Sequence, residues 1–176
     1  MTQAIVVMGV SGCGKSTLAA ALAHALDWLF IEGDMLHPPG NIKKMEAGIA
    51  LSDQDRLPFL HNVADRLAAS SGGAVAACSA LKRSYRDLLR TRVGDVLFVL
   101  PLVPKDELLR RLGRRQGHFM PTTLLDSQLA VLEPPGIDER AVVLDGLLQV
   151  LDQLAAVKKA LDNAEPCTQN QSLTDI

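Results

Sequence analysis

The run GVSGCGKST, Gly9 through Thr17, follows five apolar residues, Ala4-Ile5-Val6-Val7-Met8, and precedes an alanine-rich helical run from Leu18 to Leu26. Strand, glycine-rich loop, helix is the setting in which the pattern GxxxxGK[ST], here Gly9 to Ser16, binds phosphate. Glycines at positions 9, 12 and 14 let backbone N–H groups close on phosphate oxygens, where a Cβ would stand in the way. The following helix adds the positive end of its dipole. Lys15 is placed to reach the outer phosphates, and the Ser16 hydroxyl to join the shell of a magnesium ion that keeps most of its waters. Val10, Ser11, Cys13 and Thr17 complete the nucleotide-binding stretch. A dinucleotide fingerprint is excluded, because Thr17 stands where its third glycine belongs.

Outward from this loop, apolar and β-branched runs recur at Trp28 to Ile31, Ala74 to Cys78, Val96 to Leu100 and Ala141 to Leu144, separated by segments of helical periodicity. Five near-continuous apolar strands alternating with helices predict an α/β fold: a five-stranded parallel sheet between two helical layers, with ligands at the carboxyl ends of the strands. The chain has 176 residues, 48% of them hydrophobic, which fits a single domain over residues 1–162. Residues 163–176 lose apolar periodicity and read as a dispensable tail.

Eighteen basic and twenty acidic side chains leave a net charge of -2, and aromatics make up only 3%. Neither a general nucleic-acid binder nor a membrane-surface protein has this balance. Cys13, Cys78 and Cys167 show no metal or disulfide spacing, no signal peptide precedes the first strand, and no apolar run is long enough to span a bilayer. The expected compartment is the cytoplasm.

Candidate functional residues therefore lie just after the strands. Behind the second comes a polar, turn-rich loop from Glu32 to Met45 containing Asp34, His37, Asn41, Lys43 and Lys44. Asp34 is the group to accept a proton from an attacking hydroxyl or to hold magnesium through water. The segment from Leu51 opens a helix to about Ser70, in which Pro58 is tolerable only in the first turn. After the third strand, Lys82, Arg83 and Arg86 crowd a helix start, where positive charge is disfavoured and a nearby anion is implied. Lys82 and Arg86 share a face. After the fourth, Arg110, Arg111, Arg114 and Arg115 precede Gly117 and His118, as in a flap over phosphates, the lid spanning about residues 110–135. Thr122 or Thr123 is placed to cap the next short helix.

Four blocks together carry a family resemblance: GVSGCGKST at Gly9, EGDMLHPPGNIKKMEAGIALSDQDRLPFL at Glu32, CSALKRSYRDLLR at Cys78 and RLGRRQGHFMPTTLLDSQLAVLEPP at Arg111. In family order, reaching from the first strand to Pro135, they resemble the bacterial gluconokinases, P-loop kinases that phosphorylate D-gluconate at its 6-hydroxyl with ATP. The resemblance implies a P-loop NTPase-type three-layer sandwich with a small helical lid. It implies that residues 9–17 hold ATP and Mg2+, that Asp34 is the base or hydroxyl-orienting group, and that Arg111 and Arg115 close on the phosphates. His37, Asn41, Lys44, Lys82, Arg86 and His118 would contact the polyol and its carboxylate, and a homodimer is implied as well. The third strand ends Ala76-Ala77-Cys78-Ser79, without the acidic residue of a standard Walker B strand, so Asp34 or Glu32 would supply the second magnesium contact. Rival readings are a kinase of another small polyol or acid such as shikimate, and a non-catalytic nucleotide-binding regulator. The acceptor-side blocks oppose the first, and the lack of an NKxD or TKxD element opposes the second.

Overall fold

The computed structural model describes residues 4–114 and 122–162. Five short strands, β1 (Ala4–Val7), β2 (Leu29–Glu32), β3 (Ala74–Ala77), β4 (Val96–Leu102) and β5 (Ala141–Asp145), form one parallel sheet in the order β2-β3-β1-β4-β5. All four residues of β1 and of β3 are buried, as expected of central strands covered on both faces. With β1 flanked by β3 and β4, the loop after β1 opens where the strand order changes direction, the position at which such sheets bind ligands.

Alternate side chains of the strands pack into two separate cores. Val6, Ala76 and Phe98 point toward α3 (Asp53–Ala68) and α4 (Arg83–Val93), through Phe59, Leu60, Val63, Leu67, Tyr85 and Leu89. Ile5, Val7, Val75 and Val99 point the other way, toward α1 (Lys15–Leu26) and α7 (Val150–Asp162), through Leu18, Leu22 and Val157. A third, smaller core joins Val10 and Cys13 of the glycine loop to Leu108 of α5 (Lys105–Arg114) and Leu125 of α6 (Thr122–Val131). It seats these two helices over the loop.

Two local expectations are corrected. The stretch after β2 is not open loop: a 3-10 turn at Gly33–Leu36 leads into α2 (Pro39–Glu46), with Pro39 in its first turn, where a missing N–H costs nothing. Pro58 lies beyond the first turn of α3, which starts at Asp53 behind a full capping box between Ser52 and Asp55. That cap, together with burial of Phe59 and Leu60, offsets the one backbone bond that Pro58 removes.

Candidate active site

The glycine loop has the geometry its pattern requires. Gly12 and Gly14 have φ of 84° and 100°, Gly9 N–H donates to Ser79 O at 3.0 Å, and Lys15 begins α1. The Lys15 ammonium folds back to donate to Val10 O at 3.0 Å, and Ser11 N–H donates to Gln128 Oε1 of α6 at 2.7 Å. Arg111, expected to close on the phosphates, bridges the glycine loop and the turn after β5. Its Nη1 donates to Gly12 O at 3.4 Å, its Nη2 to Gly146 O at 3.1 Å and its Nε to Glu107 at 2.8 Å. Cys13 is buried in the third core, where it serves as packing.

Asp34 is positioned by its neighbour. A Cβ on Gly33 would lie 2.1 Å from Ala77 O, so only glycine lets this turn press against the end of β3 and bring Asp34 beside the glycine loop. Ser11, Lys15, Asp34, His37, Arg56, Phe59, Ser79 and Gln128 are among the residues lining one cavity of about 60 Å³. That is small against the ~300 Å³ and more of most ligand pockets, so its walls must part to admit an acceptor.

His37 stacks flat on Phe59, with ring centroids 3.7 Å apart. Burial pushes its pKa below 6.5; the Asp34 charge opposes that shift and Arg56 adds to it. Buried Asn41 donates to Asp55 O at 2.8 Å and lies 3.3 Å from His37 Nδ1, which makes it a brace for the His37 ring. Lys44 pairs with Asp55 at 2.7 Å; with Ser52 it holds the Asp55 carboxyl down to about 2.

The basic residues at the start of α4 do face anions, and these are the protein's own carboxylates. Lys82 pairs with Asp53 at 2.8 Å, Arg83 with Asp138, and Glu133 accepts from Arg83 N–H at the helix start. The expectation for Arg86 is corrected outright. Its side chain is 1% exposed and bound at two points to Glu139, with further bonds to Ala80, Leu81 and Glu133 carbonyls, so it cannot reach a ligand.

Besides Lys15, the cation lining the cavity is Arg56, a residue the sequence reading passed over. Its Nη1 lies 3.5 Å from Tyr85 Oη and only 3.9 Å from Asp53, whose closer partners are Lys82 and Tyr85. The available signal was its place three residues before Phe59, on the inward face of α3. Arg115 and His118 lie outside the described residues, as do the capping side chains of Thr122 and Thr123.

Among the described residues no three His, Cys, Asp or Glu side chains cluster as a metal cage. A magnesium ion carried by nucleotide needs no such cage, since phosphate oxygens and waters fill most of its shell. Ser16 in the first turn of α1, with Asp34 or Glu32 at the end of β2, is a donor set of the right chemistry. No helix among the described residues is long and apolar enough to cross a membrane.

Comparison with known proteins adds an independent line. A family model described as an AAA domain matches residues 5–135. A gluconokinase of Gluconobacter oxydans (strain 621H) is 51% identical over 145 residues, covering 81% of this chain and 82% of its own length. The crystal structure of a gluconokinase from Sinorhizobium meliloti 1021 superposes with a TM-score of 0.83 at 46% identity, covering 92% of each chain. An unliganded sugar kinase from Janibacter sp. HTCC2649 superposes with a TM-score of 0.87 at 41% identity, covering 93% of this chain and 96% of its own.

Proposed function

The chain belongs to the gluconokinase family, and from that premise we propose that it transfers the γ-phosphoryl group of ATP in line to the 6-hydroxyl of D-gluconate. The observation that carries the reading is a single cavity on which Lys15, Asp34 and Arg56 converge. Each matches one part of the reaction: a cation for the phosphoryl group, a carboxylate for the hydroxyl proton, and a guanidinium for the acid.

Lys15 leaves Val10 O to follow the β- and γ-phosphates and neutralise charge as it builds on the transferred group. Asp34 orients the attacking hydroxyl and takes its proton. Arg56, beside Tyr85 and Asp53, offers a planar pair of donors to the gluconate carboxylate. His37, stacked on Phe59 and braced by Asn41, supplies a hydrogen-bonding group to the polyol. Lys44 and Lys82 take part through Asp55 and Asp53, which they hold in place under the site. Arg111 fixes the Gly12 carbonyl against Gly146 and steadies the loop from outside. Ser16, together with the phosphates, would hold a magnesium ion, which would supply further charge neutralisation. Arg115 and His118 keep their proposed parts in closing on phosphates and acceptor. Free, buried Cys13 and Cys78 support a reducing, cytoplasmic setting.

Initial rates of ADP formation, with ATP and magnesium across gluconate, shikimate, glycerate and nucleosides, test the proposal. A gluconate-dependent rate well above the others is expected. A higher rate with another acceptor, or none with any while ATP still binds, overturns it.

A further inference from the structure

The hydrogen bond from Ser11 N–H to Gln128 Oε1, 2.7 Å long, joins the glycine loop to α6 across 117 residues of chain. Packing places it there: Leu125 of α6 is buried with Val10 and Cys13, and Leu124 and Ser127 line the same cavity as Gln128. In a loop of this pattern the backbone N–H groups are the phosphate ligands. Ser11 sits at the acceptor-facing end, since it lines the cavity shared by Lys15 and Asp34. A phosphoryl group passing from the loop to a hydroxyl held by Asp34 must cross this point. The amide oxygen of Gln128 already occupies the bonding position there.

We propose that Gln128 is a positioning residue that holds the Ser11 amide in place of the γ-phosphoryl group and must be displaced by it. A phosphoryl oxygen is charged and accepts more strongly than a neutral amide oxygen, so the exchange runs forward when the triphosphate arrives and back when the phosphoryl group has left. ADP, ending at the β-phosphate, leaves the contact intact. Gln128 therefore lowers affinity for the triphosphate selectively and keeps the cavity small until the third phosphate enters. The inference rests on the reading of Gly9 to Ser16 as a triphosphate cradle and is independent of the acceptor's identity.

Calorimetric titration of the full chain, with magnesium, using ADP and a non-hydrolysable ATP analogue tests it in the parent protein, Gln128→Leu and Gln128→Glu. Leu removes the competing acceptor and should tighten the analogue by about 3- to 10-fold, the worth of one hydrogen bond, with ADP changed less than about twofold. Glu keeps an acceptor on Ser11 and adds charge against the phosphoryl group, so it should weaken the analogue and again spare ADP. The opposite signs keep the test decisive if thermal unfolding shows that one variant does not fold. Weaker analogue binding by the Leu variant makes Gln128 a phosphoryl ligand and overturns the proposal. Equal shifts for both nucleotides, or none, also overturn it while leaving the cradle standing. Failure of the parent protein to bind either nucleotide removes the cradle reading itself.

Discussion

Arg86 and Glu139 meet as a two-point ion pair without solvent access, Nε to Oε2 at 2.6 Å and Nη2 to Oε1 at 2.8 Å. The Arg86 guanidinium holds the Glu139 carboxyl below the usual carboxylate range, and its Nη1 donates to carbonyls of Ala80, Leu81 and Glu133. One side chain thereby ties the turn after β3, where Ala80 sits at φ 40°, to the segment following α6. Both walls of the active cavity depend on that tie, through Ser79 and Leu81 on one side and α6 on the other.

Removing one partner leaves an uncompensated charge in the interior, so Arg86→Met should lower stability by about 3–5 kcal/mol. Adding Glu139→Leu removes the orphaned carboxylate and should return much of the loss. Urea unfolding of the single and double variants measures both. A double variant as unstable as the single one would assign the stability to the three carbonyl contacts instead of the pair.

Arg56 is the residue proposed to take the acceptor's carboxylate. Arg56→Ala should raise KM for gluconate about 10- to 100-fold, the range of a charge-assisted two-point contact, with KM for ATP little changed. Arg56→Lys keeps the charge but loses the fork and should recover only part of this. Steady-state kinetics with each substrate varied in turn decides the matter. A rise confined to KM for ATP would move Arg56 to the nucleotide side.

The sheet, its five strands and the glycine loop were legible because they rest on local signals: apolar runs of strand length, a glycine pattern, and a helix start after Lys15. The pairing of Lys82 and of Arg86 was not, because it is decided by contacts 29 and 53 residues apart. Lys82 and Arg86 look equivalent on one helical face, yet Lys82 stays partly exposed beside Asp53 while Arg86 sinks into the core against Glu139. Arg56 was hidden for the complementary reason. Flanked by Asp53 and Asp55, it reads as already neutralised, whereas the fold gives Asp55 to Lys44 and most of Asp53 to Lys82 and Tyr85. The turn at Gly33 was invisible too, because nothing local shows that a carbonyl of β3 lies against it.

That turn yields a prediction about catalysis. With Ala77 O only 2.1 Å from the position of an added Cβ, Gly33→Ala must displace the segment that carries Asp34. A shift near 1 Å at a reacting group costs about 100-fold in rate, so kcat should fall by that order while ADP binding persists. Asp34→Asn leaves the turn in place and removes the proton acceptor, with an expected loss of about 100- to 10,000-fold in kcat. If Asp34→Asn instead raised KM for ATP and spared kcat, Asp34 would not act as the base.

Stability between neutral and mildly acidic pH should be governed by His37. Its pKa in the fold is lowered by burial against Phe59, so the unfolded chain, titrating near 6.5, binds the proton more readily. Unfolding then takes up protons between the two values, and stability rises with pH across that interval. The contribution is complete above about 6.5 and is lost as pH falls through the folded value. His24 and His61 are exposed and share none of this burial. His37→Gln, which keeps a polar side chain beside Asn41, should flatten the dependence just below about pH 6.5. A separate loss of stability should persist at lower pH in both proteins, where Asp55, held to about 2 against an ordinary 3.8, becomes protonated and releases Lys44 and Ser52. Urea unfolding at closely spaced pH values separates the two steps. Survival of the upper step in His37→Gln would show that the proton enters elsewhere.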